Sequence, residues 1–452
     1  MTTGITAEML DGGLAEDLAA ASLAMARRFA RGAALWCVAP GWEPHAHHMA
    51  VEFVHPVIVG KRALPAFSLT GSDLVPRARV AARPGDIIIA VAGEREEVVA
   101  DLMRRAPAWG AASAWIGSGP RPAAGAADHV LWIADADPMA PATGAFVFLY
   151  HLLWELTHVC FEHPGLLGPD PEGADHQRLP GRAGLGRRPG PGARRRGADQ
   201  AGEWLMEATE RTGFLYPFID AEERDPRPLL AELAGSARAK AAESAALQRA
   251  TLAAGEDLVA ACGAAMAERF TAGARLYAFG NGGSSTDCAT FAALFAAPPA
   301  GQERAPSGEA ADGGRPGSAE TAADAPADWP PAGRPLPALN LSADQAVVTA
   351  LGNDVGFDLI FSRQIIAHAG SGDIAVAFST SGSSRDLMAA LREARGRGLL
   401  TVAFAGYDGG EMAHSDVVDY CFVVRSPSVH RIQESQAILG YHLWAATQQA
   451  MQ

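Results

Sequence analysis

Two short loops constrain this chain more than any other feature: Gly280-Asn-Gly-Gly-Ser-Ser-Thr286 and Ser379-Thr-Ser-Gly-Ser-Ser-Arg385. Each follows a short apolar run, residues 276–279 and 374–378, and precedes a helical pattern. A strand that turns through glycines into a helix is the repeating unit of parallel α/β sheets. Glycines let the backbone approach an anion, small hydroxyls donate to its oxygens, and the following helix presents unpaired N–H groups and the positive end of its dipole. The loops therefore predict a pair of phosphate cradles for a phosphorylated small molecule. A merely capped turn needs one Ser or Thr, whereas residues 379–384 carry five in six positions.

The same order of elements occurs twice. Gly32-Ala-Ala-Leu-Trp-Cys-Val-Ala-Pro-Gly41 matches Gly273-Ala-Arg-Leu-Tyr-Ala-Phe-Gly280, and Arg62-Ala-Leu-Pro-Ala-Phe-Ser-Leu-Thr70 echoes Arg334-Pro-Leu-Pro-Ala-Leu-Asn-Leu-Ser342. Gly85-Asp-Ile-Ile-Ile-Ala-Val91 matches Gly372-Asp-Ile-Ala-Val-Ala-Phe378. This internal repeat predicts an α/β protein of two tandem domains, each a parallel sheet flanked by helices on both faces. At 452 residues and 48% apolar content the chain can bury two such cores. Each domain is expected to open on a long helix, residues 14–31 and about 229–271.

The expected boundaries are a degenerate first domain at 1–163, a linker at 164–228 and a second domain at 229–452. The stretch 164–200 is rich in Gly, Pro and Arg, and its basic run Arg187-Arg-Pro-Gly-Pro-Gly-Ala-Arg-Arg-Arg196 reads as a solvated linker. Residues 298–333, full of Pro, Ala, Gly, Asp and Glu, read as a disordered surface insertion.

A net charge of −14 argues against a nucleic-acid surface, which needs a concentrated basic face, so any anion site must be local. The five cysteines are scattered without CxxC spacing, which excludes a disulfide framework or zinc knuckle and fits a reducing cytoplasm. No apolar leader and no run of about 18 uncharged apolar residues is read, so no membrane association is expected.

Further motifs lie between and after the two loops: Asn353-Asp-Val-Gly-Phe357, Phe361-Ser-Arg-Gln364 and Arg431-Ile-Gln-Glu434. Together with the loops they resemble the sugar isomerase (SIS) domain in its phosphoheptose isomerase branch, over roughly residues 240–450 less one insertion. The resemblance implies phosphate binding by Ser379, Thr380, Ser381, Ser383 and Ser384, with Asn281, Gly282, Gly283, Ser284, Asp354 and Gln433 around the sugar. It also implies aldose–ketose isomerisation of a sugar phosphate such as sedoheptulose 7-phosphate, a homo-oligomer, and zinc held by a His and Glu at i, i+4 together with a Gln and a His of the last helix.

The second domain departs from that pattern. The His and Glu positions hold Thr290 and Leu294, and eight residues after Gln433 stands Tyr441, with His442 one further. The first domain shows the converse. His48 and Glu52 align with Thr290 and Leu294, and His151 lies on the last helix, giving three candidate metal ligands that are also the candidate catalytic residues. Thr143 stands where a Gln is expected, and Glu43 and Glu94 occupy loops where they would repel an anion. The two half-complete sets suggest a composite site, phosphate from the second domain and His48, Glu52 and His151 from the first. The same histidines also read as polar helix residues at a helix N-terminus or at the domain interface, so the cofactor expected is zinc or none. The alternative reading is a noncatalytic sugar-phosphate sensor or assembly factor on an SIS fold.

Overall fold

The computed structural model describes residues 4–58, 60–134, 139–168, 224–298 and 333–452. The linker run at 170–200 lies outside the described residues, as does the insertion except Pro298 and Gly333. The first half runs α1 (Leu14–Ala30), β1 (Leu35–Val38), α2 (Glu43–Val54), β2 (Ala66–Leu69), α3 (Leu74–Ala81), β3 (Ile87–Val91), α4 (Glu97–Arg105), β4 (Ala112–Ser118), β5 (His129–Ile133) and α5 (Ala145–Cys160). The second half runs α6 (Arg227–Thr271), β6 (Leu276–Gly280), α7 (Gly283–Ala296), β7 (Ala338–Asn340), α8 (Gln345–Asp354), α9 (Ile360–His368) and β8 (Ile374–Phe378). It closes with α10 (Arg385–Gly396), β9 (Leu400–Gly406), α11 (Gly410–His414), β10 (Tyr420–Val424) and α12 (Val429–Ala450).

The strands form two five-stranded parallel sheets of one topology, β2-β1-β3-β4-β5 and β7-β6-β8-β9-β10. The repeat extends to register. Leu35 pairs with Ala66 and Ile87, as Leu276 pairs with Ala338 and Ile374. The central strands β3 and β8 are buried at every residue, as continuous apolar runs covered on both faces must be. Strand order reverses beside β1 and β6, so the crevices outside the β1/β3 and β6/β8 carboxyl ends are where such sheets receive ligands.

The halves interlock more than a boundary at 229 allows. Leu229, Leu233, Ala237, Ala241 and Ala245 of α6 sit in the core of the first sheet, whereas Cys262, Met266 and Phe270 of the same helix sit in that of the second. Met139 and Ala142, from the first half, likewise belong to the second core. A 45-residue helix thus serves two cores in succession. By length and composition alone α6 would suffice to cross a membrane; its buried side chains pack against both halves of the protein. The last helices of the two halves cross closely, and a Cβ at Gly144 (φ 84°) would lie 2.7 Å from the Glu434 carbonyl oxygen.

Candidate functional site

The crossing of the two halves gathers α2 and α5 from the first against α7 and α12 from the second. Helix spacing places His48 and Glu52 one turn apart on the buried face of α2, each 2% exposed. His151, fully buried on α5, brings its Nε2 to 3.4 Å from His48 Nε2, and Glu52 Oε1 lies 3.6 Å from His48 Nε2. One ligand atom from each of the three lies within 4.8 Å of the others.

A fourth side chain comes from the other half. Gln433 Nε2 lies 3.5 Å from His48 Nε2, and its Oε1 is buried without a hydrogen-bond partner among the described residues. Turning the amide over exchanges these two atoms and aims the oxygen at the cluster. Gln433 thus borders the histidine cluster from the second half, whereas Thr143 of the first half bonds the Ala140 carbonyl.

Both histidines are held from behind. His48 Nδ1 faces Asp287 Oδ1 at 3.4 Å, and His151 Nδ1 faces Glu434 Oε1 at 3.0 Å. When each Nδ1–H donates to its carboxylate, both Nε2 atoms carry lone pairs, and two lone pairs at 3.4 Å repel unless a cation lies between them. In the metal-free protein that cation is a proton. Burial alone would push His48 down, but the charges of Asp287 and Glu52 carry it up to about 9. Burial and the neighbouring His430 hold His151 well below the usual imidazole range, so it stays neutral. Burial would raise Glu52, yet hydrogen bonds from His430 and His48 hold it below the usual carboxylate range. Two imidazole nitrogens, a carboxylate and an amide oxygen are a donor set that fits zinc, with carboxylates orienting both imidazoles.

The first cradle abuts this cluster directly. Gly282 (φ 54°) turns the chain into α7, and a Cβ at Gly283 would lie 2.9 Å from Glu52 Oε1, 3.1 Å from His48 Nε2 and closer still to Gln433 Nε2. Only glycine lets the helix start come this near. Ser284 is buried in that first turn, and Asn281 donates its side-chain N–H to Asp386 Oδ2 at 2.8 Å. The second cradle is tied to α12 through Gln436 Nε2, which donates to the Ser379 carbonyl at 3.0 Å.

Three cradle hydroxyls close the loop on its surroundings. Ser379 Oγ accepts from Gly382 N, Ser381 Oγ from Ser383 N, and Ser383 Oγ from Glu411 N. Ser384 stands at the N-cap of α10 with no side-chain cap bond, and Thr380 is half-buried beside it. Asp354 stands apart, exposed at the end of α8, where its Oδ1 accepts from Asn353.

The equivalent position in the second half carries no histidine or carboxylate at Thr290 and Leu294. Thr290 and Leu294 of α7, with Tyr441 of α12, line a small pocket with Pro141, Ala142 and Phe291. The pocket adjoins the histidine cluster, since Asp287, which faces His48, is also part of its lining.

Sequence reasoning missed Asp287, Glu434, His430 and Glu155. Asp287 was legible in principle, three residues before Thr290 on the helix of the first cradle. Glu434 stands in the quoted Arg431-Ile-Gln-Glu434 motif and pairs with Arg431 on the same helix, but its bond to His151, like the contacts of His430 and Glu155, forms across the junction and has no local signal.

No family model matches the chain. Phosphoheptose isomerases from Aquifex aeolicus (44% identity over 110 residues, 24% of this chain and 56% of that protein) and Solidesulfovibrio magneticus (46% over 109 residues, 24% and 52%) are similar in sequence. The chain spans about half the length of the curated relatives it matches. In fold, the C-terminal domain of glucosamine-fructose-6-phosphate aminotransferase from Francisella tularensis superposes over 97% of this chain and 94% of its own, with a TM-score of 0.50 at 10% identity. The chain has the tandem SIS fold, two parallel five-stranded sheets flanked by helices. At the junction between domains the first glycine-rich loop of the second half meets the histidines of the first.

Proposed function

We propose that this protein of tandem SIS fold binds a sugar phosphate at the junction of its halves and interconverts its aldose and ketose forms. The observation that carries the reading is the pair of inward-facing Nε2 atoms of His48 and His151, backed by carboxylates and flanked by Glu52, at the mouth of a glycine-lined cradle. The relatives are named phosphoheptose isomerases, so sedoheptulose 7-phosphate is the first substrate to try.

Such an isomerisation moves one proton between adjacent carbons and one between their oxygens, and needs no oxidant. His48, Glu52, His151 and Gln433 would hold a zinc ion, which when bound supplies a Lewis acid toward the two sugar oxygens. Glu52 takes the proton from the carbon beside the carbonyl and returns it to its neighbour. His48 and His151 keep their Nε2 atoms aimed at one point, where positive charge stabilises the developing oxyanion. Ser381, Ser384, Thr380 and the N–H groups at the start of α10 hold the phosphoryl group and orient the sugar. The five cysteines are free, consistent with a reducing cytoplasm as the place of action.

A panel of sugar phosphates assayed with the wild type and Glu52→Gln tests this. Glu52→Gln is expected to lose turnover while keeping sugar-phosphate affinity within about a factor of two. Binding without turnover by the zinc-loaded wild type would refute the isomerase reading and leave a sugar-phosphate sensor in its place.

A further inference from the structure

We infer that His430, contributed by the second half, is the positioning residue that fixes both Glu52 and His151 in the geometry a divalent metal ion requires; this rests on the metal-binding reading above. His430 occupies the first turn of α12 and is 2% exposed. Its ring stacks on His151 with centroids 4.3 Å apart and planes 18° from parallel, and the Trp154 ring meets it edge-on at 5.2 Å. Its Nε2 lies 3.3 Å from Glu52 Oε2 and its Nδ1 2.7 Å from Glu155 Oε1.

This geometry excludes a ligand role for His430 itself. Each of its nitrogens is turned to a carboxylate, so neither lone pair is available to a metal ion. What the ring does is hold other groups. Glu52 has two oxygens; Oε1 faces the cluster, and Oε2 would be buried unpaired without His430. Rotation of Glu52 is blocked because one oxygen is tethered, and tilting of His151 is blocked because the stacked ring forms its floor. The tether is anchored at its far end, since Glu155 also accepts from Arg431 Nη2 at 3.1 Å and pairs with Lys240. A first-half carboxylate and a first-half imidazole are thus set by one second-half side chain, which makes the centre depend on the correct docking of the halves.

The test uses the full-length protein, zinc alone as the probe, and competition with a chelator to obtain the dissociation constant. The visible spectrum of the cobalt(II)-substituted protein reports the ligand field independently. His430→Phe keeps the stacked ring but has no donors, and Glu155→Gln leaves the ring but weakens its anchor. His430→Phe is expected to raise the zinc dissociation constant about 10- to 100-fold, as loss of an outer-shell partner does, and to alter the cobalt bands with unchanged circular dichroism. Glu155→Gln is expected to raise it by a smaller factor of about 3 to 10. A folded His430→Phe with zinc affinity within about twofold of the wild type and unaltered cobalt bands overturns the inference; if that variant fails to fold, Glu155→Gln with affinity within about twofold does so. A wild type that binds no zinc refutes the metal reading and this inference together, whereas a zinc-binding wild type with unaffected variants refutes only the role of His430.

Discussion

At the scale of single residues, the junction is held by charges that have no water to fall back on. Arg431 donates to both oxygens of Glu434 at 2.8 and 2.6 Å, and Glu434 in turn receives His151 Nδ1–H and the Ser244 hydroxyl. Replacing Glu434 by Leu strips buried Arg431 of the carboxylate it meets at both oxygens and leaves it paired with Glu155, so we expect a loss of about 3 kcal/mol in denaturant unfolding; a loss below about 1 kcal/mol would show that the pair is dispensable. Gly283→Ala is predicted to weaken zinc binding more than tenfold, because its methyl group would enter the space between Glu52, His48 and Gln433. Unchanged zinc affinity in that variant would mean the cradle does not abut the centre.

His45 gives a pH dependence of definite sign. Its Nε2 donates to the Pro141 carbonyl at 2.9 Å, and its Nδ1 accepts from the Tyr150 hydroxyl at 3.3 Å. Burial, aided by the charge of His48, pushes His45 down to about 4. The unfolded chain binds a proton here from about pH 6.5 downward and the native state does not. The stability is therefore complete above about 6.5 and is lost as pH falls toward 4, by about 3 kcal/mol. Urea unfolding at pH 7 and 4.5 should show this loss in the wild type and less of it in His45→Gln. An equal loss in both would assign the acid sensitivity to other groups, of which Glu155, held below the carboxylate range by His430 despite its burial, is one.

At the scale of elements, the strand–glycine loop–helix units were legible because their signal is local: an apolar run, a turn that only glycine makes easily, and a helix start. The pairing of β1 with β2 and β3, and of β6 with β7 and β8, follows the quoted repeats residue for residue. The i, i+4 spacing likewise puts His48 and Glu52 on one face of α2 by helix geometry alone. Less legible was how the hydroxyls of residues 379–384 are used, since a count of serines does not reveal that Ser379 and Ser381 first satisfy N–H groups of their own loop. The resulting prediction is narrower. Ser381→Ala with Ser384→Ala should weaken sugar-phosphate binding by about 1–3 kcal/mol in calorimetry, and an unchanged affinity would remove this loop from the site.

At the scale of the whole molecule, the composite arrangement was suggested by two half-complete residue sets, but not the means by which it is assembled. Gln433 was placed with the sugar and Thr143 was counted as a missing ligand, because sequence alone does not say which half faces which. The boundary at 229 is crossed for the same physical reason. An Ala-rich helix shows its propensity locally, whereas the change of partner along α6, from the first core at Ala245 to the second at Cys262, is decided by tertiary packing. The difference between the halves then has a simple description: one of two repeat-equivalent positions holds His48, Glu52 and His151 with Gln433 of the other half beside them, while the other holds Thr290, Leu294 and Tyr441 around a small pocket.

The most direct measurement of this account is the zinc content of the purified full-length chain beside Gln433→Leu. The account predicts about one zinc per chain in the wild type, and a dissociation constant raised at least about tenfold by Gln433→Leu although His48, Glu52 and His151 are untouched. Two zinc ions per chain, no zinc at all, or full affinity in Gln433→Leu would contradict a single centre built from both halves.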